Sequence, residues 1–269
     1  MSCEEFVIGP VLSSAAQRTD AWAHDSSPAA VVSKVRPHRA VFRSQNDYSP
    51  YHLGALHEGT TVGTYQTLAG VKTYVSLPPA GTPYAQDTAV VFLGDVFGFY
   101  PNALLIHARY YPEFDLTRWR ESHGPERVRS ALDPVLKYLR DAGITKLGAT
   151  GYCFGGKFVS ALAIENAIEA GVNAHPSGII VPDDIEAWVA KSKTPLLFNS
   201  CEVDKSWPKD SQDTADKIMA SYAPGWKQNY YPGCTHGFGT RADLSVPAQK
   251  HGKEDAFKES VEWFKNYLI

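Results

Sequence analysis

A chain of 269 residues, 43% of them hydrophobic, is long enough to bury a substantial core, and one large α/β domain is its simplest partition. Its 26 Lys and Arg against 29 Asp and Glu leave a formal charge of −3, with no overall drive toward nucleic acid or anionic lipid. The expected partner is a small molecule, with no nucleic acid and no membrane. No run approaches the roughly 18 apolar residues of a membrane span, and the start MSCEEF is acidic where a signal or transit peptide is basic. A soluble cytoplasmic protein is expected, as a monomer or weak homodimer.

Residues 1–56 read as an N-terminal extension, largely flexible, because 13–50 mix Ser, Ala, Arg, His and Pro without helical or strand periodicity. Its basic stretch SKVRPHRAVFR reads as solvated linker. Residues 57–269 read as the folded domain. Within it TVGTYQTL and VKTYVSLP flank Ala69-Gly70 as a hairpin, and TAVVFLG (88–94) is an apolar run of the buried parallel-strand type. GPERVRSALDPVLKYLRDAG places Val128, Leu132, Val135, Leu136 and Leu139 on one helical face, between Pro125 in the first turn and Gly143 as stop. KLGATGY then reads as a strand and GKFVSALAIENAIEAG as a helix ending at Gly171. TPLLFNS (194–200) and WKQNYY (226–231) are further strands, with a helix at about 209–221 between them. A closing helix at about 247–267 groups Phe257, Val261, Phe264 and Leu268.

Alternating strands and helices imply a mostly parallel sheet covered on both faces, with chemistry beyond the carboxyl ends of its strands. Four residues answer that rule: Asp95, Cys153, Asp204 and His236. The four cysteines, Cys3, Cys153, Cys201 and Cys234, form no CxxC pair, so neither a disulfide framework nor a metal site is indicated, and no cofactor is expected. Cys153 lies in TGYCFGG, between a strand and a helix. A G-x-C-x-G turn in that context is a nucleophile elbow with Cys in the usual Ser position. A strained apex leaves no room for side chains two residues before or after it, and the helix start favours a thiolate. The alternative is a buried structural cysteine.

His236, in GCTHGFG after the last strand, is favoured as the base, with His175 in NAHPSG as its rival. Asp204, in CEVDKSW, follows a strand and precedes His236, so it suits the orienting carboxylate; Glu202 competes with it. The N–H of Phe154, the residue after the elbow nucleophile, points into such a site as an oxyanion donor. Phe97, Phe99, Trp207 and Phe238 near the strand ends suggest an apolar pocket, or core packing.

From about HEGTTVG (57–63) to its end, through LGDVFG, TGYCFGGK, AHPS, CEVD and THGF, the chain resembles the dienelactone hydrolases, and its fungal members more loosely. The resemblance implies an α/β-hydrolase fold and a triad of Cys153, His236 and Asp204 that opens enol lactones, with Val96 N–H as second oxyanion donor. Bacterial members carry a glutamate against the resting thiol where this chain has Asp95, one methylene shorter. They bind substrate carboxylate with arginines, and Arg241 stands near one such place. Between 101 and 125 the chain lacks a β-branched run, so by resemblance one strand is missing and would leave a gap in the sheet. The implied activity is cysteine-dependent hydrolysis of small carboxylic esters or lactones. Alternatives are a thioesterase or other acyl hydrolase, and a catalytically silent relative that binds a ligand or partner.

Overall fold

The computed structural model describes residues 6–9, 63–96 and 124–269. The remainder of the extension, with its basic stretch, and Cys3, Phe97, Phe99 and most of 101–125 lie outside the described residues.

The strands are β1 (Phe6–Gly9), β2 (Thr64–Leu68), β3 (Val71–Val75), β4 (Thr88–Leu93), β5 (Lys146–Tyr152), β6 (Ala170–Ala174), β7 (Leu196–Val203) and β8 (Trp226–Thr235). The helices are α1 (Pro125–Asp141), α2 (Phe154–Ile164), α3 (Asp183–Lys191), α4 (Lys209–Met219), α5 (Phe238–Arg241) and α6 (Pro247–Leu268). All eight strands join one sheet in the order β2-β3-β1-β4-β5-β6-β7-β8. From β4 to β8 every pairing is parallel. The β2–β3 hairpin is antiparallel and turns on Ala69 and Gly70, both at positive φ, as a two-residue turn matched to strand twist requires.

The gap expected in the sheet is filled from the far end of the chain. β1 lies between β3 and β4, parallel to the first (Val7↔Tyr74) and antiparallel to the second (Ile8↔Val91). Thus Phe6–Gly9, inside the stretch read as extension, is part of the sheet. FVIG is a short β-branched and aromatic run of the kind strands favour, too brief to register against the polar sequence that follows it.

Alternation along β4 sorts the core into two layers. Ala89, Val91 and Leu93 pack with Leu132, Val135 and Leu136 of α1 and Phe158, Val159 and Leu162 of α2. Val90 faces the other way, onto Trp263, Phe264 and Leu268 of α6. A third cluster joins Trp188 of α3, Phe198 of β7 and Met219 of α4. Each fully buried aliphatic or aromatic side chain contributes roughly 1.5–3 kcal/mol. Together these layers hold the strand ends still.

Two readings of the sequence are corrected. The helix expected to run to Gly171 stops at Ile164, because Asn166 takes a left-handed conformation and its side chain accepts the Lys193 N–H. Ala170–Ala174 is instead the fully buried central strand β6. In α6 Phe257 is 54% exposed; Ala256, Ser260, Trp263, Phe264 and Leu268 face the sheet. Among the described residues no helix is long and apolar enough to cross a membrane.

Candidate active site

β5 delivers Cys153 to the carboxyl edge of the sheet. Its backbone there has φ 51° and ψ −112°, and α2 begins at the next residue. A non-glycine residue so placed is held by its surroundings. The Cys153 N–H donates to the Ala174 carbonyl at 3.2 Å, and its carbonyl accepts from Gly156 at 3.0 Å and Ser177 at 2.8 Å. A Cβ on Gly151 would lie 2.7 Å from the Gly155 carbonyl, and one on Gly155 would overlap the Leu93 carbonyl at the end of β4. The close approach inferred from the two glycines is therefore real, and it locks elbow to neighbouring strand. Cys153 is 9% exposed.

His236 follows β8 and is anchored by its N–H donating to the Val203 carbonyl at 2.9 Å. Its Nδ1 meets Asp204 Oδ1 at 2.9 Å. The same oxygen accepts the N–H groups of Ser206 (2.8 Å) and Trp207 (3.0 Å), while the Cys201 thiol donates to Oδ2 at 3.7 Å. With Nδ1 on the carboxylate, Nε2 is the ring nitrogen left for another partner, and the ring lowers the Cys153 thiol. Glu202, the competing carboxylate, instead accepts the Gly233 N–H at 2.7 Å.

Charges follow from this line of contacts. Burial pushes the Cys153 thiol up, but the His236 ring, the Ser177 hydroxyl and the Phe154 N–H outweigh it and bring the thiol below its ordinary range. Burial alone lowers His236; the Asp204 carboxylate and the sulfur reverse this and hold the imidazolium well above the usual histidine range. Burial raises Asp204, and His236 with the two backbone N–H groups more than offsets it. The three shifts all favour a row of alternating charge: thiolate, imidazolium and carboxylate.

His175 is fully buried at φ 39° and stacks edge-to-face on His236, centroids 5.0 Å apart. Neither of its ring nitrogens has a hydrogen-bond partner. Burial, then the neighbouring His236, depress it to about 3. A ring kept neutral there supports His236 from behind and makes no bond to the sulfur.

The remaining candidates are placed differently from expectation. Asp95 forms an ion pair with Arg241, and Thr240 Oγ1 donates to it at 3.3 Å. Ser177 contributes a polar contact on the sulfur, Oγ to Sγ 3.4 Å. Arg241 is no exposed loop residue, since its side chain is 16% exposed and burial lowers it to about 10. Trp207 is wholly buried beside Phe198, its indole N–H donating to Ser200 and Gln228. Phe238 is buried between Tyr231 and His175. These two rings are core, and their size serves packing behind the histidine and the aspartate rather than a substrate surface. Phe154, the residue after Cys153, opens α2, and Val96 lies three residues beyond the end of β4. Cys201 and Cys234 are buried, and burial raises both thiols. Ser177 escaped the sequence reading because β6 did. With Ala170–Ala174 recognised as a strand, AHPS would have stood at a fifth strand end.

A mostly parallel sheet carrying an elbow residue, a histidine and a carboxylate at its carboxyl edge defines an α/β-hydrolase. The dienelactone hydrolase family profile matches residues 90–268, and the chain belongs to that family, which makes it an enzyme of the hydrolase class. It is 28% identical to Hydrolase pyvD of Aspergillus violaceofuscus over 80% of this chain and 94% of that protein. Hydrolase tropI of Talaromyces stipitatus is 29% identical over 81% and 95%. The Carboxymethylenebutenolidase homolog of Xenopus tropicalis is 28% identical over 81% and 96%. Among solved structures, a dienelactone hydrolase candidate from Klebsiella pneumoniae superposes with a TM-score of 0.50 at 18% identity, over 66% of this chain and 86% of that one. It shares the fold.

Proposed function

We propose that the protein hydrolyses small carboxylic esters or lactones through an acyl-enzyme on Cys153, with His236 as general base and acid and Asp204 as its orienting partner. The observation that carries this reading is the elbow placement of Cys153, φ 51°, together with His236 Nδ1 held on Asp204 Oδ1 at 2.9 Å. The thiolate attacks the substrate carbonyl. The oxyanion so formed is held by the N–H groups of Phe154 and Val96. Collapse breaks the C–O bond, and the leaving oxygen takes the proton from His236 Nε2. Water then attacks the thioester, giving its proton to the same nitrogen, and the acid departs as the thiolate is regenerated. Asp204 stays ionised throughout and fixes the tautomer.

Arg241 is the side chain proposed for a substrate carboxylate, reached by exchange with Asp95. The relatives named carboxymethylenebutenolidase homologs agree with an acidic lactone as substrate. A burst of nitrophenol from a p-nitrophenyl ester, stoichiometric with enzyme and accompanied by an acyl mass on Cys153, tests the reading. Absence of both, or their survival in Cys153→Ala, would overturn it.

A further inference from the structure

The short segment leaving β6, residues 174–178, is fastened to the elbow and to β7. His175 N–H donates to the Asn199 carbonyl at 2.9 Å, and Ser177 N–H to the Cys153 carbonyl at 2.8 Å. A Cβ on Gly156 would stand 2.6 Å from Pro176 Cβ, so the first turn of α2 rests on this segment. His175 is held at φ 39° to make the turn. The half-buried hydroxyl of Ser177 is thereby set 3.4 Å from the Cys153 sulfur, within the reach of an O–H···S hydrogen bond.

We propose that Ser177 is a further catalytic residue, whose hydroxyl donates a hydrogen bond to the resting Cys153 sulfur and releases it once that sulfur is acylated. The proposal rests on Cys153 being the nucleophile. A thiolate is a strong acceptor, because hydrogen bonds to charged groups exceed neutral ones. A thioester sulfur, its lone pair conjugated with the carbonyl, is a weak one. The same hydroxyl therefore holds the nucleophile ionised before attack and does not hold the intermediate. Its proton stays on Oγ at every stage, so no atom is transferred. The other titratable groups around Cys153 are His236 and Asp204 beyond β8 and β7, buried His175 after β6, Tyr152 on β5, and Asp95 with Arg241 at the end of β4.

The rate of Cys153 alkylation by iodoacetamide, read by mass spectrometry on the full chain from pH 5 to 10, tests this without a substrate. In Ser177→Ala the inflection is expected to rise by about half to one pH unit, slowing alkylation at pH 6 by about threefold to tenfold. Ser177→Gly must do the same, and Ser177→Thr, which keeps the hydroxyl, must restore the native profile. A merely structural serine would alter the melting temperature and leave the inflection where it is. Coincident profiles for native and Ser177→Ala protein, disagreement between Ala and Gly, or a Thr variant that follows Ala would each overturn the proposal. A native profile with one step near the ordinary thiol value of about 8.5 would instead remove the Cys153–His236 pairing, and the role of Ser177 with it.

Discussion

At the scale of single residues, two histidines within 5.0 Å of each other carry opposite burdens. His236 has Asp204 on Nδ1 and is raised; His175 has no partner on either nitrogen and is depressed. His236→Gln is therefore expected to return Cys153 alkylation to a single step near pH 8.5, whereas His175→Gln leaves a coupled profile. The reverse result would assign the base to His175. Stability should record the same row of charges. Asp204 is depressed in the folded state, so its contribution is present above the ordinary carboxylate value of about 3.9 and lost as pH falls through its lower folded one. His236 is raised, so its contribution is complete below about 6.5 and lost as pH climbs through its higher folded value. Melting temperature against pH should fall on both flanks in the native protein. Asp204→Asn should flatten the acid flank and His236→Gln the alkaline one; unchanged flanks would show that the row carries no folding energy.

At the scale of elements, the elbow was legible because its chemistry demands a rare pattern. Only glycine fits at 151 and 155, and a strand–Cys–helix joint needs both. Asp204 stood out for a related reason, since it follows a strand, β7, whose apolar run announces itself, whereas β8 before His236 is more polar. β6 was not legible. AGVNA is made mostly of small residues and is weak in β-propensity; it is a strand because its neighbours on both sides are, and a local reading has no access to them. Losing it also hid Ser177. Phe257 was misassigned for a similar reason, since a helix as long as α6 offers more than one apolar stripe and only the sheet decides between them. The joint itself makes a firm prediction. In Gly155→Ala the added methyl has backbone, not a flexible side chain, to displace at Leu93, so β4 and α2 must separate. A loss of about 3 kcal/mol or more in urea unfolding, together with loss of turnover, is expected. A stability change within about 0.5 kcal/mol of native would show that the contact yields.

At the scale of the whole molecule, the sheet depends on four residues from outside its main run. Removing residues 1–10 would leave facing edges of β3 and β4 with unpaired N–H and C=O groups, which are costly when buried and adhesive when not. The truncated chain is expected to unfold at lower urea and to aggregate at concentrations where the full chain does not. Equal midpoints and equal solubility would mean that the pairing of β1 adds nothing. Because β1 sits beside β4, and β4 closes against the elbow through Gly155, some loss of turnover should accompany the loss of stability.

β1 also sets the order of events in time. Its partner Val91 follows Ile8 by some eighty residues, so this pairing closes a long loop. Closing so long a loop costs entropy that short-range pairings do not. The β2–β3 hairpin and the parallel run from β4 onward can assemble while that slot stands open, and insertion of β1 completes the sheet afterwards. Refolding followed by hydrogen exchange should then show amides of β5–β7 protected early and those of β1 and its neighbours last, with active enzyme appearing on the slower clock.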